Sequence, residues 1–205
     1  MKLLAGLLTL FLGAALTFFV LGTSLIIIAQ PKAVAWQREF LSLKGYETET
    51  QLTASYLSGG SSFDLLSGEA LLYTNAELSH LKDVRQIFDK LRQALGIAFL
   101  LVVFLLIVSL GLSPKRFLVL VGRSVKLGLL LVLGLLLASV TSFTFLFSKL
   151  HTILFPQGGF FFPSDVLLLQ LFPEPFFRNA AFALLLLAII ILFCALGVVK
   201  LIEKR

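Results

Sequence analysis

Two histidines, His80 and His151, are the only imidazoles in this 205-residue chain. An imidazole titrates near pH 6.5, so each can take and return a proton at neutral pH. Glu77 and Asp83 stand three residues on either side of His80. On a helix both share its face, and either can orient the ring. The plainer alternative is that each histidine is an unrelated polar residue at an interface. A second alternative is a metal site. His80, His151 and one of Glu77, Asp83 or Asp165 would supply three ligands, the minimum that zinc usually takes. No H-E-x-x-H spacing supports it, and neither metal nor cofactor is expected. A nucleophile is harder to find. No serine sits in a nucleophile-elbow pattern, and the single Cys194 lies within a long apolar run. If the chain is an enzyme, its histidines serve a nucleophile that the substrate brings.

The elements that must position these residues are long apolar runs. The chain is 59% hydrophobic and 14% charged, with a mean hydropathy of +1.02. Soluble domains carry about 45–50% apolar and roughly 25% charged residues, and here the excess is gathered into unbroken stretches. Four runs, at about 3–29, 95–112, 125–147 and 180–199, are long enough to cross a bilayer as helices. The first is too long for a signal-peptide core and reads as an uncleaved anchor, although Ala33-Val34-Ala35 resembles a cleavage site. One cysteine excludes an intramolecular disulfide framework. The expected fold is an all-α integral membrane protein with four transmembrane helices in a single membrane domain.

Orientation follows from the layout of Lys and Arg. The loop at about 113–124 and its edges carry Lys115, Arg116, Arg123 and Lys126 without an acid. Lys2 precedes the first run, and Lys200, Lys204 and Arg205 follow the last. These segments are expected on the cytoplasmic side, with both termini. The net charge of +6 is thereby accounted for without a nucleic-acid partner. Two outer loops remain, at about 30–93 and 148–179, and both histidines belong to them.

The first outer loop is long enough for a small extracytoplasmic cap. Trp36, Phe40 and Tyr46 suit a membrane interface. Leu57-Ser58-Gly59-Gly60-Ser61-Ser62 is a turn-rich break. Thr74-Asn75-Ala76-Glu77 fits a capping box and predicts a helix start. Leu78, Leu81, Val84, Ile87, Phe88 and Leu91 recur at helical spacing after it, so this helix packs one face and can continue into the second span. In the second outer loop, Pro156, Gly158, Gly159 and Pro163 interrupt any helix. Irregular backbone is not tolerated in lipid, so this Phe-rich segment must rest at the interface or line a cavity. The stretch 167–172 reads as a second interfacial element, stopped by Pro173 and Pro175.

Glu77-Leu78-Ser79-His80-Leu81-Lys82-Asp83-Val84, with His151 and Phe155-Pro156-Gln157-Gly158, resembles the lipoprotein intramolecular transacylase family of bacterial membrane proteins. Length, four spans and the long first outer loop fit as well, so the resemblance covers nearly the whole chain. It departs at Gly159-Phe160, where the family pattern has a polar residue and Trp. The resemblance implies an acyltransferase that moves the sn-2 acyl chain of a diacylglyceryl lipoprotein to the α-amino group of its own N-terminal cysteine. It implies catalytic roles for His80 and His151, support from Glu77, Asp83, Gln157 and Gly158, and a site facing outward from the bacterial cytoplasmic membrane. The implied partners are diacylglyceryl lipoproteins and the surrounding phospholipid. Backbone N–H groups near Gln157-Gly158-Gly159 are candidates for holding the oxyanion, since glycine lets a backbone approach closely. The competing expectations are a metal-dependent membrane hydrolase and a non-enzymatic assembly factor or transporter subunit. Transport would call for ionisable or broken segments inside the spans, and these have almost none.

Overall fold

The computed structural model describes residues 2–60 and 73–204, so Ser61 and Ser62 of the turn-rich break lie outside the described residues. Those residues form seven helices: α1 (Lys2–Ile28), α2 (Pro31–Phe40), α3 (Glu47–Ser58), α4 (Asn75–Ser109), α5 (Pro114–Leu154), α6 (Leu167–Leu171) and α7 (Glu174–Glu203). Four of them, α1, α4, α5 and α7, are long and apolar enough to cross a membrane. At about 1.5 Å per residue, even α1 covers the ~30 Å hydrocarbon thickness.

Local chemistry sets the helix ends. Pro31 opens α2 at a position where the missing N–H costs nothing. Gly59 closes α3 at φ +102°, a left-handed conformation that glycine adopts without strain. The capping box at the start of α4 is fully formed. Glu77 Oε2 accepts from the Thr74 N–H at 2.7 Å and from its hydroxyl at 2.8 Å, and the Glu77 N–H donates to Thr74 Oγ1 at 3.3 Å. From there α4 runs unbroken to Ser109. The connection to α5 is shorter than the hydropathy suggests. Pro114 opens α5, and Phe117 N–H donates to Ser113 O, so Lys115, Arg116 and Arg123 lie on helix. At its other end α5 continues past the apolar run to Leu154 and therefore carries His151. It bends at Ser142, where φ −146° and ψ 38° leave the helical region.

By packing the chain forms two units. The first comprises Met1–Ser24, Arg92–Leu137 and Leu184–Arg205. Its helices approach closely through small residues, as membrane helices do without a hydrophobic driving force between them. A Cβ on Gly13 would come within 2.9 Å of Leu127 Cδ2, and one on Gly128 within 2.8 Å of Thr17 Oγ1. Ser124 Oγ donates to Thr9 O on the facing helix at 3.1 Å. Val132, Ala188 and Leu192 are fully buried. Ile97, Leu130 and Phe193 are more than two-thirds exposed, as side chains facing lipid are.

The second unit comprises Leu25–Leu91 and Ala138–Ala183 and contains both histidines. Its core joins Val34 of α2, Ala54 and Tyr56 of α3, Leu81 of α4, Leu167, Leu168 and Leu171 of α6, and Phe172 and Phe176. The apolar stripe expected on α4 is thus used, with Leu81 its most buried member. Trp36 and Phe40 stack on each other at 5.9 Å and stay exposed, as interfacial aromatics do.

Candidate active site

His80 sits one turn beyond the α4 cap, in the polar segment that precedes the apolar stretch of that helix. Leu81 beside it anchors the helix face in the core, so the ring is held by packing. His80 is 8% exposed. Phe155 lies 4.7 Å from it between ring centroids, and Phe162 meets it edge-on at 5.5 Å. Its Nδ1 is buried and has no hydrogen-bond partner among the described residues. Burial pulls its pKa below the ordinary 6.5, helped by nearby His151 and opposed by Asp83. His80 is therefore neutral at neutral pH.

His151 occupies the last turn of α5. Its Nδ1 lies 2.8 Å from the Phe147 carbonyl oxygen, four residues back. A carbonyl only accepts, so Nδ1 carries the proton in this bond, and the neutral ring presents a free lone pair at Nε2. The ring is flanked by Phe147 at 4.2 Å, Phe160 at 5.6 Å and Phe155 at 5.7 Å. Phe155 thus touches both imidazoles, and it is itself 4% exposed. Residues 71 positions apart in sequence converge on one phenyl ring.

The other expected site residues divide. Glu77 is fully buried, and its carboxylate is engaged by partners other than the imidazole. Oε2 serves the cap, and Oε1 accepts the Leu168 N–H at 2.7 Å, tying α4 to α6. Asp83 acts on His80 through its charge. Gln157 is exposed. The Gly158 N–H donates to Phe155 O at 2.9 Å, which closes a turn with Gly158 and Gly159 at φ +80° and +81°. That N–H is occupied, which leaves the amides of Gln157 and Gly159 as the backbone donors of this turn. Asp165 does not join the histidines in a ligand set, and among the described residues no three His, Cys, Asp or Glu side chains converge to hold a metal. Cys194 is exposed and belongs to the first unit.

Sequence reasoning did not find the aromatic wall formed by Phe147, Phe155, Phe160 and Phe162. Half of it was open to discovery, because Phe147, His151 and Phe155 follow at intervals of four, the last just past the end of α5. It also missed Arg38. This residue is 4% exposed, and its guanidinium donates to the carbonyls of Leu171, Gln170, Leu43 and Gly45. A basic residue in a polar loop carries no local signal of such burial.

The in meso structure of the membrane-integral lipoprotein intramolecular transacylase Lit from Bacillus cereus is similar over 100% of this chain and 98% of that one, with a TM-score of 0.79 at 19% identity. A variant of that protein with a histidine replaced by alanine is similar over 99% and 95%, with a TM-score of 0.77 at 19% identity. At this identity the likeness speaks for the fold: a membrane-integral, four-span helical protein. None of the curated proteins matches the chain. The family model of the lipoprotein intramolecular transacylase Lit matches residues 3–177, from α1 into the first turn of α7. With most of its length accounted for in this way, the protein belongs to the lipoprotein intramolecular transacylase Lit family.

Proposed function

We propose that this transacylase moves the sn-2 acyl chain of a diacylglyceryl lipoprotein to the α-amino group of the same molecule's N-terminal cysteine, with His80 and His151 at the reacting atoms. The observation that carries the reading is the convergence of both imidazoles on Phe155. Donor ester and acceptor amine belong to one substrate, so proximity is built in, and no protein nucleophile is required.

The two rings differ in what they offer. His151 presents a lone pair at Nε2, because its Nδ1 proton is held by Phe147 O. It is the base that takes a proton as the amine nitrogen bonds to the ester carbonyl carbon. His80 is neutral, with Nδ1 buried among apolar rings. An unpaired acceptor is more readily tolerated there than an unpaired N–H, so its proton sits on Nε2. That ring N–H, set in place by the aromatic wall, donates a hydrogen bond first to the developing oxyanion and then to the departing glycerol oxygen. The carbon–oxygen bond breaks as the protonated His151 hands its proton to that oxygen, the amide forms, and both rings end neutral as they began. The Gln157 and Gly159 amides are further donors for the oxyanion. Glu77 and Asp83 support His80 from its own helix.

The site faces outward from the bacterial cytoplasmic membrane, with both termini inside. The asymmetry of Lys and Arg supports this orientation. Mass spectrometry of lipoprotein N-termini from cells with and without the protein tests the reaction. The expected product has one acyl chain on the amine and one on glycerol. Appearance of a free fatty acid in place of the N-acyl product would replace transfer with hydrolysis. His80→Gln and His151→Gln test the roles, since glutamine keeps a hydrogen bond but cannot exchange protons near neutral pH.

A further inference from the structure

The aromatic wall over His80 hangs on a five-residue helix that is pinned at both ends. Phe162 precedes α6 in the chain and packs against the core that α6 helps to build. At the first turn of α6, the Leu168 N–H is held by the buried carboxylate of Glu77 from α4. At its last turn, the Leu171 and Gln170 carbonyls are held by the buried guanidinium of Arg38 from α2. The same guanidinium bonds Gly45 O at 2.8 Å and Leu43 O at 3.4 Å, so it also fixes the loop that follows α2. A helix of five residues is far too short to be stable by itself. Its place depends on these two side chains and on its leucines. A guanidinium suits the task because its planar fork of donors reaches several carbonyls at once, which an ammonium cannot do.

We propose that Arg38 is a positioning residue for transacylation, one that holds α6 and thereby keeps Phe162 against the His80 ring. The proposal rests on the assignment of His80 to the reaction. Arg38 touches no reacting atom. It acts through the apolar wall that keeps water from His80 and leaves Nδ1 without a partner. The titratable groups acting on His80 are Asp83 on its own helix and His151 on α5. Neither is altered when Arg38 is replaced.

Because the chain has only two histidines, imidazole NMR of the protein in lipid nanodiscs resolves two ring titrations, assigned with His80→Gln. In Arg38→Met the His80 ring is expected to titrate closer to a free histidine. The kcat should fall by roughly 10-fold to 100-fold with KM within about 2-fold, and Arg38→Lys should recover little of the loss. Phe162→Ala should produce the same two changes, and the double variant should be no worse than the poorer single one. If Arg38→Met does not fold, Arg38→Lys and Phe162→Ala carry the test with the same readouts. An unchanged His80 titration and unchanged kcat in a folded Arg38 variant would overturn the proposal, as would a full double-mutant additivity. His80→Gln separates this outcome from failure of the parent reading. Wild-type activity in His80→Gln removes the role of His80 itself, whereas loss there with a silent Arg38→Met removes only the positioning role.

Discussion

Replacing Glu77 by alanine should loosen the cap of α4 and the attachment of α6 in a single step. The carboxylate accepts three hydrogen bonds, from the Thr74 N–H, the Thr74 hydroxyl and the Leu168 N–H, and it is fully buried. Loss of a helix cap costs about 0.5–2 kcal/mol. A buried donor left without an acceptor costs about 1–3 kcal/mol, and Leu168 lies in the core, away from water. Together the change should destabilise the fold by roughly 2–5 kcal/mol. For a chain of this size each kcal/mol lowers Tm by about 2–4 °C, so a drop of roughly 4–20 °C is expected. Glu77→Gln should fall between wild type and alanine. It keeps one oxygen for Leu168 but turns an amide donor toward the donors of Thr74. The assay is thermal unfolding in lipid nanodiscs, paired with hydrogen exchange at the Leu168 amide. A Glu77→Ala protein that melts with wild type and leaves that amide equally protected would refute the reasoning, because it would show that neither bond contributes.

Either His80→Gln or His151→Gln should lower acyl transfer by about 10²–10⁴-fold, and the double variant should be little worse than the poorer single one, measured by single-turnover formation of the N-acyl product. Because burial depresses the His80 pKa, the folded protein binds fewer protons than the unfolded chain between that pKa and about 6.5. The His80 contribution to stability is therefore complete above about pH 6.5 and declines as pH falls through the folded value, and His80→Leu should flatten that part of a Tm–pH profile. Cys194→Ala should retain most activity, since the residue is exposed in the unit that lacks the histidines; complete loss at normal protein level would contradict this. A cysteine at Ser61 should react with an impermeant maleimide on intact cells, and labelling only after permeabilisation would reverse the proposed orientation.

Much of the architecture was legible because hydrophobic length is a one-dimensional property. The four runs marked four helices, and the Thr74–Glu77 spacing marked a helix start near Thr74, where α4 begins. The helix ends strayed where side-chain chemistry outranked hydropathy. Lys115 and Arg116 read as loop, yet a proline at the first helical position draws them into α5. His151 read as lying beyond a span, yet α5 continues for about two more turns, to Leu154, because nothing before Pro156 breaks it. The histidines were legible by rarity. The role of Glu77 was not, because spacing places a carboxylate on a face without saying which way its oxygens turn. The partners of Arg38 were out of reach for the same reason. Its carbonyl acceptors on α6 lie more than 130 residues away, and a carbonyl has no sequence identity.

The shared contact of Phe155 with both imidazoles has a consequence for how such a site can change over generations. Two proton-handling groups on separate supports can drift independently, one growing more basic while the other holds. Here a substitution at residue 155 reaches both at once, through ring distances of 4.7 and 5.7 Å. Compensation by a second mutation beside one histidine would leave the other uncorrected. Phe160, by contrast, meets His151 at 5.6 Å, and Phe162 meets His80 at 5.5 Å. Under the proposed mechanism a change at residue 160 or 162 acts on one ring, whereas a change at residue 155 acts on both.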